Sequence, residues 1–247
     1  KTVSGRGYQL VLQPLGQAKI LRTVTGNLGR REPKLLGRDI ELGQLVEAFD
    51  RESLVTVCGL GGVGKTALAV NAARRLAQRH EPSDGAWLVD LSVVVMPAAL
   101  PVAVCQTVGI EYEGGRDALT ECLAHLRHRQ LLLVLDNCEH LVEAAADFVS
   151  RLLAVAPDVK VLATSQEPLR LSGERVLRLN PLHVPASATS GDAREAGAVQ
   201  LMLERLRGPF GETFEPTDAE FVELVEICRQ LDGIPLALEF AASRVPL

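Results

Sequence analysis

One octapeptide constrains the fold of this chain more than any other feature: Gly59-Leu60-Gly61-Gly62-Val63-Gly64-Lys65-Thr66. It matches G-x-x-x-x-G-K-[ST], follows the apolar run Leu54–Cys58 and opens a helical stretch, which is the strand–loop–helix setting the pattern requires. Glycines let the backbone turn through conformations that a Cβ forbids, so successive N–H groups can point inward on a phosphate. The helix N-terminus adds partial positive charge at the same place. Gly59, Gly61, Gly62, Val63, Gly64 and Ala67 are therefore expected to frame a phosphate site. Lys65 would reach the outer phosphates, and the Thr66 hydroxyl would ligate Mg²⁺.

Around this loop, short apolar runs alternate with longer helical stretches. Leu54–Cys58, Trp87–Leu91, Leu131–Leu135, Val159–Thr164 and Val176–Leu179 have the signature of strands buried on both faces. Lys65–Gln78, Leu100–Val108, Asp117–Arg127 and Leu141–Val155 read as helices between them. Such alternation predicts an α/β fold, a doubly wound parallel five-stranded sheet, over 35–185. After Pro181 the pattern changes. Residues 185–191 (Pro-Ala-Ser-Ala-Thr-Ser-Gly) read as a linker, and Ala196–Arg207 and Glu220–Leu231 as amphipathic helices of a small all-α subdomain over 193–247.

The run Leu131-Leu132-Leu133-Val134-Leu135-Asp136 ends in a carboxylate expected at the carboxyl edge of the sheet, where it would hold Mg²⁺ with Thr66. An extra strand, Trp87–Leu91, lies between the loop and this acid, which favours the ATPase branch of phosphate-loop folds over the kinase–GTPase branch. Hydrolysis further needs a group that orients or deprotonates water. The position after Asp136 is Asn137, which can hydrogen-bond water but cannot act as a base. Glu139 is the nearest carboxylate and the candidate base; otherwise it favours the dipole of the following helix. His140 is expected to pack or cap. Leu171-Ser172-Gly173-Glu174 has the form of a transporter signature loop, but it follows the acid instead of preceding it, and its position refutes that reading.

Composition narrows the classes further. Aromatics are only 4% of the 247 residues, so Ala, Leu and Val must fill the core. Mean hydropathy is +0.14, and no apolar run approaches the ~18 residues of a membrane span. The net charge of −5 hides an asymmetry: residues 1–38 hold eight basic side chains against Glu32 alone. A basic arm can contact nucleic acid or be a solvated linker, while the acidic body is unsuited to coating DNA. The five cysteines form no C-x-x-C, which fits reduced, buried thiols of a cytoplasmic protein. His125 and His128 lack a third ligand and read as a solvated helix face. No signal peptide is visible, and the chain opens on Lys1 without Met, as expected of a fragment.

Four ordered segments carry a family resemblance: the phosphate loop, Leu135-Asp136-Asn137-Cys138-Glu139-His140-Leu141, Leu162–Leu169 and Leu231-Asp232-Gly233-Ile234-Pro235-Leu236-Ala237. Together they resemble the nucleotide-binding domain of STAND NTPases, P-loop signal-transduction ATPases with numerous domains (ASCE-type, NB-ARC/AAA-like), as found in bacterial transcriptional regulators. The resemblance implies ATP or ADP with Mg²⁺ as ligands. It further implies that Leu35-Leu36-Gly37-Arg38-Asp39 helps hold adenine, with Asp in place of the family's Glu, and that Gly233 and Pro235 pack on the base. Thr164-Ser165 matches the sensor strand end, but the Arg that often follows is Gln166, a neutral hydrogen-bonding group toward the γ-phosphate. With Asn137, this implies slow turnover.

Lys1–Leu10, with Gly5-Arg6-Gly7-Tyr8 at its centre, resembles the wing hairpin that closes a response-regulator-type winged-helix DNA-binding domain. Residues 1–11 then form its remnant and 12–34 a linker. Arg6 would approach DNA in the intact protein only, because the recognition helix is absent here. The expectation is an ATP/ADP-binding switch module of a bacterial transcriptional regulator. It would hydrolyse ATP slowly, touch DNA only through the missing upstream domain, possess a capacity for self-association on activation, and make no membrane contact. A switch without useful hydrolysis and a small-molecule P-loop kinase are the alternatives; the kinase would need an acceptor pocket and an Arg-rich lid.

Overall fold

The computed structural model describes residues 25–29, 33–111, 117–210 and 214–245. Arg6, the wing-like residues 1–11 and most of the expected linker lie outside the described residues. Five strands, β1 (Leu54–Cys58), β2 (Ala86–Asp90), β3 (Leu132–Asp136), β4 (Lys160–Ser165) and β5 (Glu174–Arg178), form one sheet in the order β2-β3-β4-β1-β5. Every pairing is parallel. The parallel α/β class read from the alternation is therefore the fold.

The strands are short and apolar because they are covered on both sides. Leu54, Leu133, Leu135, Val161 and Ala163 face one core with α3 (Leu100–Thr107), α4 (Ala118–Leu126) and α5 (Val142–Val155). The intervening Val55, Val57, Leu132, Val134 and Leu162 face the other core with α1 (Asp39–Ala48) and α2 (Lys65–His80). This is the period-two alternation of a pleated strand with apolar residues at both phases. Removing a fully buried Leu such as Leu133 would cost about 2–5 kcal/mol.

A third core belongs to the helices after β5. It joins α6 (Gly197–Phe210), α7 (Asp218–Gln230) and α8 (Pro235–Ala242) through Val199, Met202, Leu224, Cys228 and Leu238. The start of α7 is fixed by a reciprocal cap: Thr217 accepts from the Glu220 N–H, and the Glu220 carboxylate accepts from the Thr217 N–H. α8 begins with Pro235 in its first turn, where the missing N–H costs nothing.

Several elements differ from the sequence reading. β2 stops at Asp90 because its side chain accepts from the Ser92 N–H at 2.9 Å and turns the chain into a short 3-10 segment, Leu91–Val93. β5 begins at Glu174, pulled into register with Leu54. It is an edge strand with polar ends, so apolar content marks it poorly. α1 carries little amphipathic signal, yet it buries Leu42, Leu45 and Val46. Residues 25–29, read as linker, line the opposite edge: Gly26 bridges to Ala86, and Asn27 exchanges side-chain hydrogen bonds with both the N–H and the C=O of Leu88. They occupy the ladder groups that an open edge would leave unpaired.

Candidate functional site

The site lies at the carboxyl edge of the sheet, where β1, β3 and β4 end together. β1 runs into the loop, and Gly59 is pinned on both sides: its N–H donates to Ser165 C=O at 3.2 Å, and a Cβ on it would fall 2.6 Å from the Leu179 carbonyl oxygen. Gly62 and Gly64 hold φ of +74° and +97°, which L side chains rarely adopt. Added Cβ atoms at Gly61 and Gly64 would meet nothing within 4 Å, so the loop is open where an anion would seat. Val63 is buried beneath it. Lys65 is itself 7% exposed, and its ammonium donates to the carbonyls of Gly59 and Leu60 at 3.0 and 3.1 Å. An ammonium has three donors, so these two bonds leave one for an anion.

Thr66 and Asp136 meet beside the loop. The Thr66 hydroxyl lies 2.8 and 2.9 Å from the two carboxylate oxygens, and Thr164 donates its hydroxyl to Oδ1 at 2.5 Å. Thr164 in turn accepts from the Asn137 N–H at 3.0 Å, tying the ends of β3 and β4. Asp136 is 4% exposed. Burial pushes its carboxyl above the usual carboxylate range; the Thr164 and Thr66 hydroxyls oppose this, and Asp90 and Glu139 add to it by charge. A buried acid that resists ionisation is one that a cation would stabilise.

Asn137 stands at φ +62°, in the left-handed region. Its side-chain amide is 3.4 Å from Asp136 Oδ2 and 3.4 Å from Asp90 Oδ1. Glu139 follows in a 3-10 turn; its Oε1 lies 3.5 Å from Gln166 Nε2, while its Oε2 is shut off from solvent without a partner. His140 is exposed instead of packed, with Nε2 3.0 Å from the Val94 carbonyl.

The residues expected around a base divide. Arg38 is 5% exposed, with its guanidinium engaged by Glu41 (2.7 Å), Asn180 C=O (2.6 Å) and Val63 C=O (3.4 Å). It clamps the first helix, the loop and the exit of β5. Gly37 sits at φ +63°, and a Cβ there would fall 2.8 Å from Gly197 Cα; Leu36 packs on the helical core. Pro235 is brought to the loop by its neighbour, since the Leu236 N–H donates to Gly62 C=O at 3.1 Å. Gly233, at φ +65°, accepts from Leu182 N–H at 2.9 Å. Asp90 was not singled out in the sequence, although Ala86–Asp90 has the form of the β3 run, an apolar strand ending in an acid.

Away from the loop, a groove of about 840 Å³ between α1 and β5 is lined by Arg51, Arg175 and Arg178 alongside Glu47 and Glu52. Its mixed charges bring no reactive groups together. All five cysteines are free and buried, and no group of metal-ligating side chains of three or more is found among the described residues. Among the same residues, no helix is long and apolar enough to cross a membrane.

A glycine loop at the end of a central parallel strand, a Lys and Thr opening the next helix and an acid on a neighbouring strand define a P-loop NTPase fold. Residues 47–174, just over half of the chain, match the AAA domain family, and the chain belongs to it. It is 39% identical over 192 residues to a Mycobacterium tuberculosis protein named as an HTH-type transcriptional regulator, covering 78% of this chain and 20% of that one. It is also 31% identical over 198 residues to the regulatory protein AfsR of Streptomyces griseus, covering 76% and 18%. The chain thus spans about a fifth of these regulators. Among solved structures, a STAND protein with a tetratricopeptide repeat sensor from Pyrococcus horikoshii superposes with a TM-score of 0.54 at 16% identity, over 88% of this chain and 31% of that one. The ORC2 protein of Aeropyrum pernix gives 0.53 at 14%, over 87% and 70%.

Proposed function

We propose that this chain is the ATP/ADP-binding switch module of a bacterial transcriptional regulator, and that it cleaves ATP slowly. The observation that carries the reading is the convergence of Thr66 and Asp136 beside an open glycine loop. A hydroxyl and a carboxylate offer the oxygen ligands that Mg²⁺ takes, so Thr66 and Asp136 would hold it. When bound, Mg²⁺ supplies charge neutralisation on the transferred phosphoryl group. The chain's own residues do the rest. Loop N–H groups and Lys65 bind the phosphates, and Gln166 faces the outer end with a neutral amide.

The helical segment is the reader of the nucleotide. Leu236 bonds directly to the phosphate loop, and its neighbour Pro235 would pack on the base, as the family resemblance implies. Regulator relatives support a role in transcription; DNA would be contacted through an upstream winged-helix domain, to which Arg6 and the wing-like segment would belong. Self-association on activation is part of the same proposal. Asn137 and Gln166, in place of an acid and an Arg, favour slow cleavage and leave a binding-only switch as the second reading.

Lys65→Ala is the test. Wild-type protein is expected to gain thermal stability with MgADP or MgATP, and K65A to lose that gain while keeping its unliganded melting temperature within a few degrees. Equal nucleotide shifts in the two proteins would sink the reading.

A further inference from the structure

The position after the metal-site acid is an amide here, and Glu139 turns one carboxylate oxygen into a closed, unpartnered environment. Another carboxylate is better placed. β2 and β3 are parallel and in register, with Asp90 opposite Asp136. In-register neighbours on parallel strands project from the same face, with backbones about 4.8 Å apart. Asp90 is exposed at the strand end, and the Asn137 amide lies 3.4 Å from a carboxylate oxygen of each of the two acids. Asn137 reaches across because its backbone is left-handed, at φ +62°.

We propose that Asp90 is the catalytic carboxylate of ATP cleavage and that Asn137 is the positioning residue that holds water against it, an inference resting on the slow-ATPase reading above. The water oxygen forms a bond to the γ-phosphorus. The bond from that phosphorus to the β–γ bridging oxygen breaks, and its electron pair leaves on ADP. The water proton passes to an Asp90 oxygen and then to solvent, giving ADP, inorganic phosphate and one proton. Hydrogen bonds from Ser92 and Asn137 outweigh the effect of burial and hold the Asp90 carboxyl below the usual range.

Asp90 also caps the 3-10 turn through Ser92, so the test must keep the cap. Asp90→Asn does so, because Asn is as good a capping acceptor as Asp. Single-turnover cleavage of MgATP by excess protein is measured for wild type, D90N and Glu139→Gln, with affinities for ADP and a non-hydrolysable ATP analogue. D90N is expected to lose roughly 10²–10⁴-fold in cleavage rate, the usual worth of a general base, and at least tenfold more than E139Q loses. Its ADP affinity should stay within threefold of wild type. Its affinity for the ATP analogue should rise severalfold, because one negative charge near the γ-phosphate is gone. Cleavage by D90N within threefold of wild type, or an equal or greater loss in E139Q, overturns the assignment. Wild-type protein that binds ADP but cleaves no ATP overturns it too, while leaving the binding reading intact. Binding of neither nucleotide overturns both.

Discussion

The backbone N–H of Leu236 donates to the Gly62 carbonyl across 3.1 Å, and a Cβ on Gly62 would fall 2.8 Å from the Leu236 Cβ. The first turn of α8 therefore rests on the phosphate loop itself. A shift of either one is felt by the other, without an intervening side-chain relay.

Gly62→Ala tests this contact. At φ +74° the new Cβ is strained by about 1–3 kcal/mol and presses on Leu236. The helical segment should lift from the loop, which limited proteolysis would report as faster cleavage within 185–192. An unchanged digestion pattern with an unchanged melting temperature would show that the two parts are not coupled there.

Arg38 is a structural clamp, and its loss should resemble a core defect. Arg38→Ala leaves the Asn180 carbonyl and Glu41 without their partner; the expected cost is about 2–4 kcal/mol by denaturant unfolding. Arg38→Lys should recover less than half of it, because an ammonium cannot reproduce the planar fork. A change below ~0.5 kcal/mol, the scale of an ordinary surface substitution, would contradict the clamp.

Asp136 gives a pH signature with a defined sign. Its carboxyl is raised in the folded state by burial, so the native protein binds the proton more tightly than the unfolded chain. Its contribution is then most favourable at low pH and is lost as pH rises from the unfolded value through the raised folded one. Unliganded Asp136→Asn should accordingly melt higher than wild type at pH 7, with the gap narrowing as pH falls toward 4. MgADP should stabilise wild type and not D136N. A D136N protein that melts lower at pH 7 would reverse the sign.

The thiols should be inert in the native protein. Burial pushes Cys58 up to about 11 and Cys138 and Cys228 to about 12, and Cys105 and Cys122 are also raised by burial. Since the thiolate is the reactive form, a thiol reagent at pH 8 should label none of the five natively and all five in denaturant. Fast native labelling of any one would locate an opening of the core.

Much of the fold was legible in one dimension. β1 and β3 are apolar runs of the right length, and α2 and α5 carry clear periodicity, so local pattern and burial agree. The edge strand β5 and the helix α1 were poorly marked, because one is half exposed and the other buries a narrow stripe. For the site, the loop and Asp136 announced themselves by local chemistry. Arg38 entered only through the family resemblance, as an adenine contact; its role as a clamp was not legible, since its burial depends on Asn180, 142 positions away.

The sequence by itself determined the phosphate loop, because its glycine backbone, Lys65 and Thr66 work within a single strand–turn–helix. It also determined that the sheet is parallel, because apolar strands alternating with helices leave no other short-range solution. Only the tertiary structure decided which groups share the site. The in-register ends of β2 and β3 bring Asp90 beside Asp136, the left-handed backbone at Asn137 bridges them, and the docking of α8 sets Leu236 on Gly62. Register and docking arise from packing between segments far apart in the chain, and a linear pattern carries no record of which strand ends will meet.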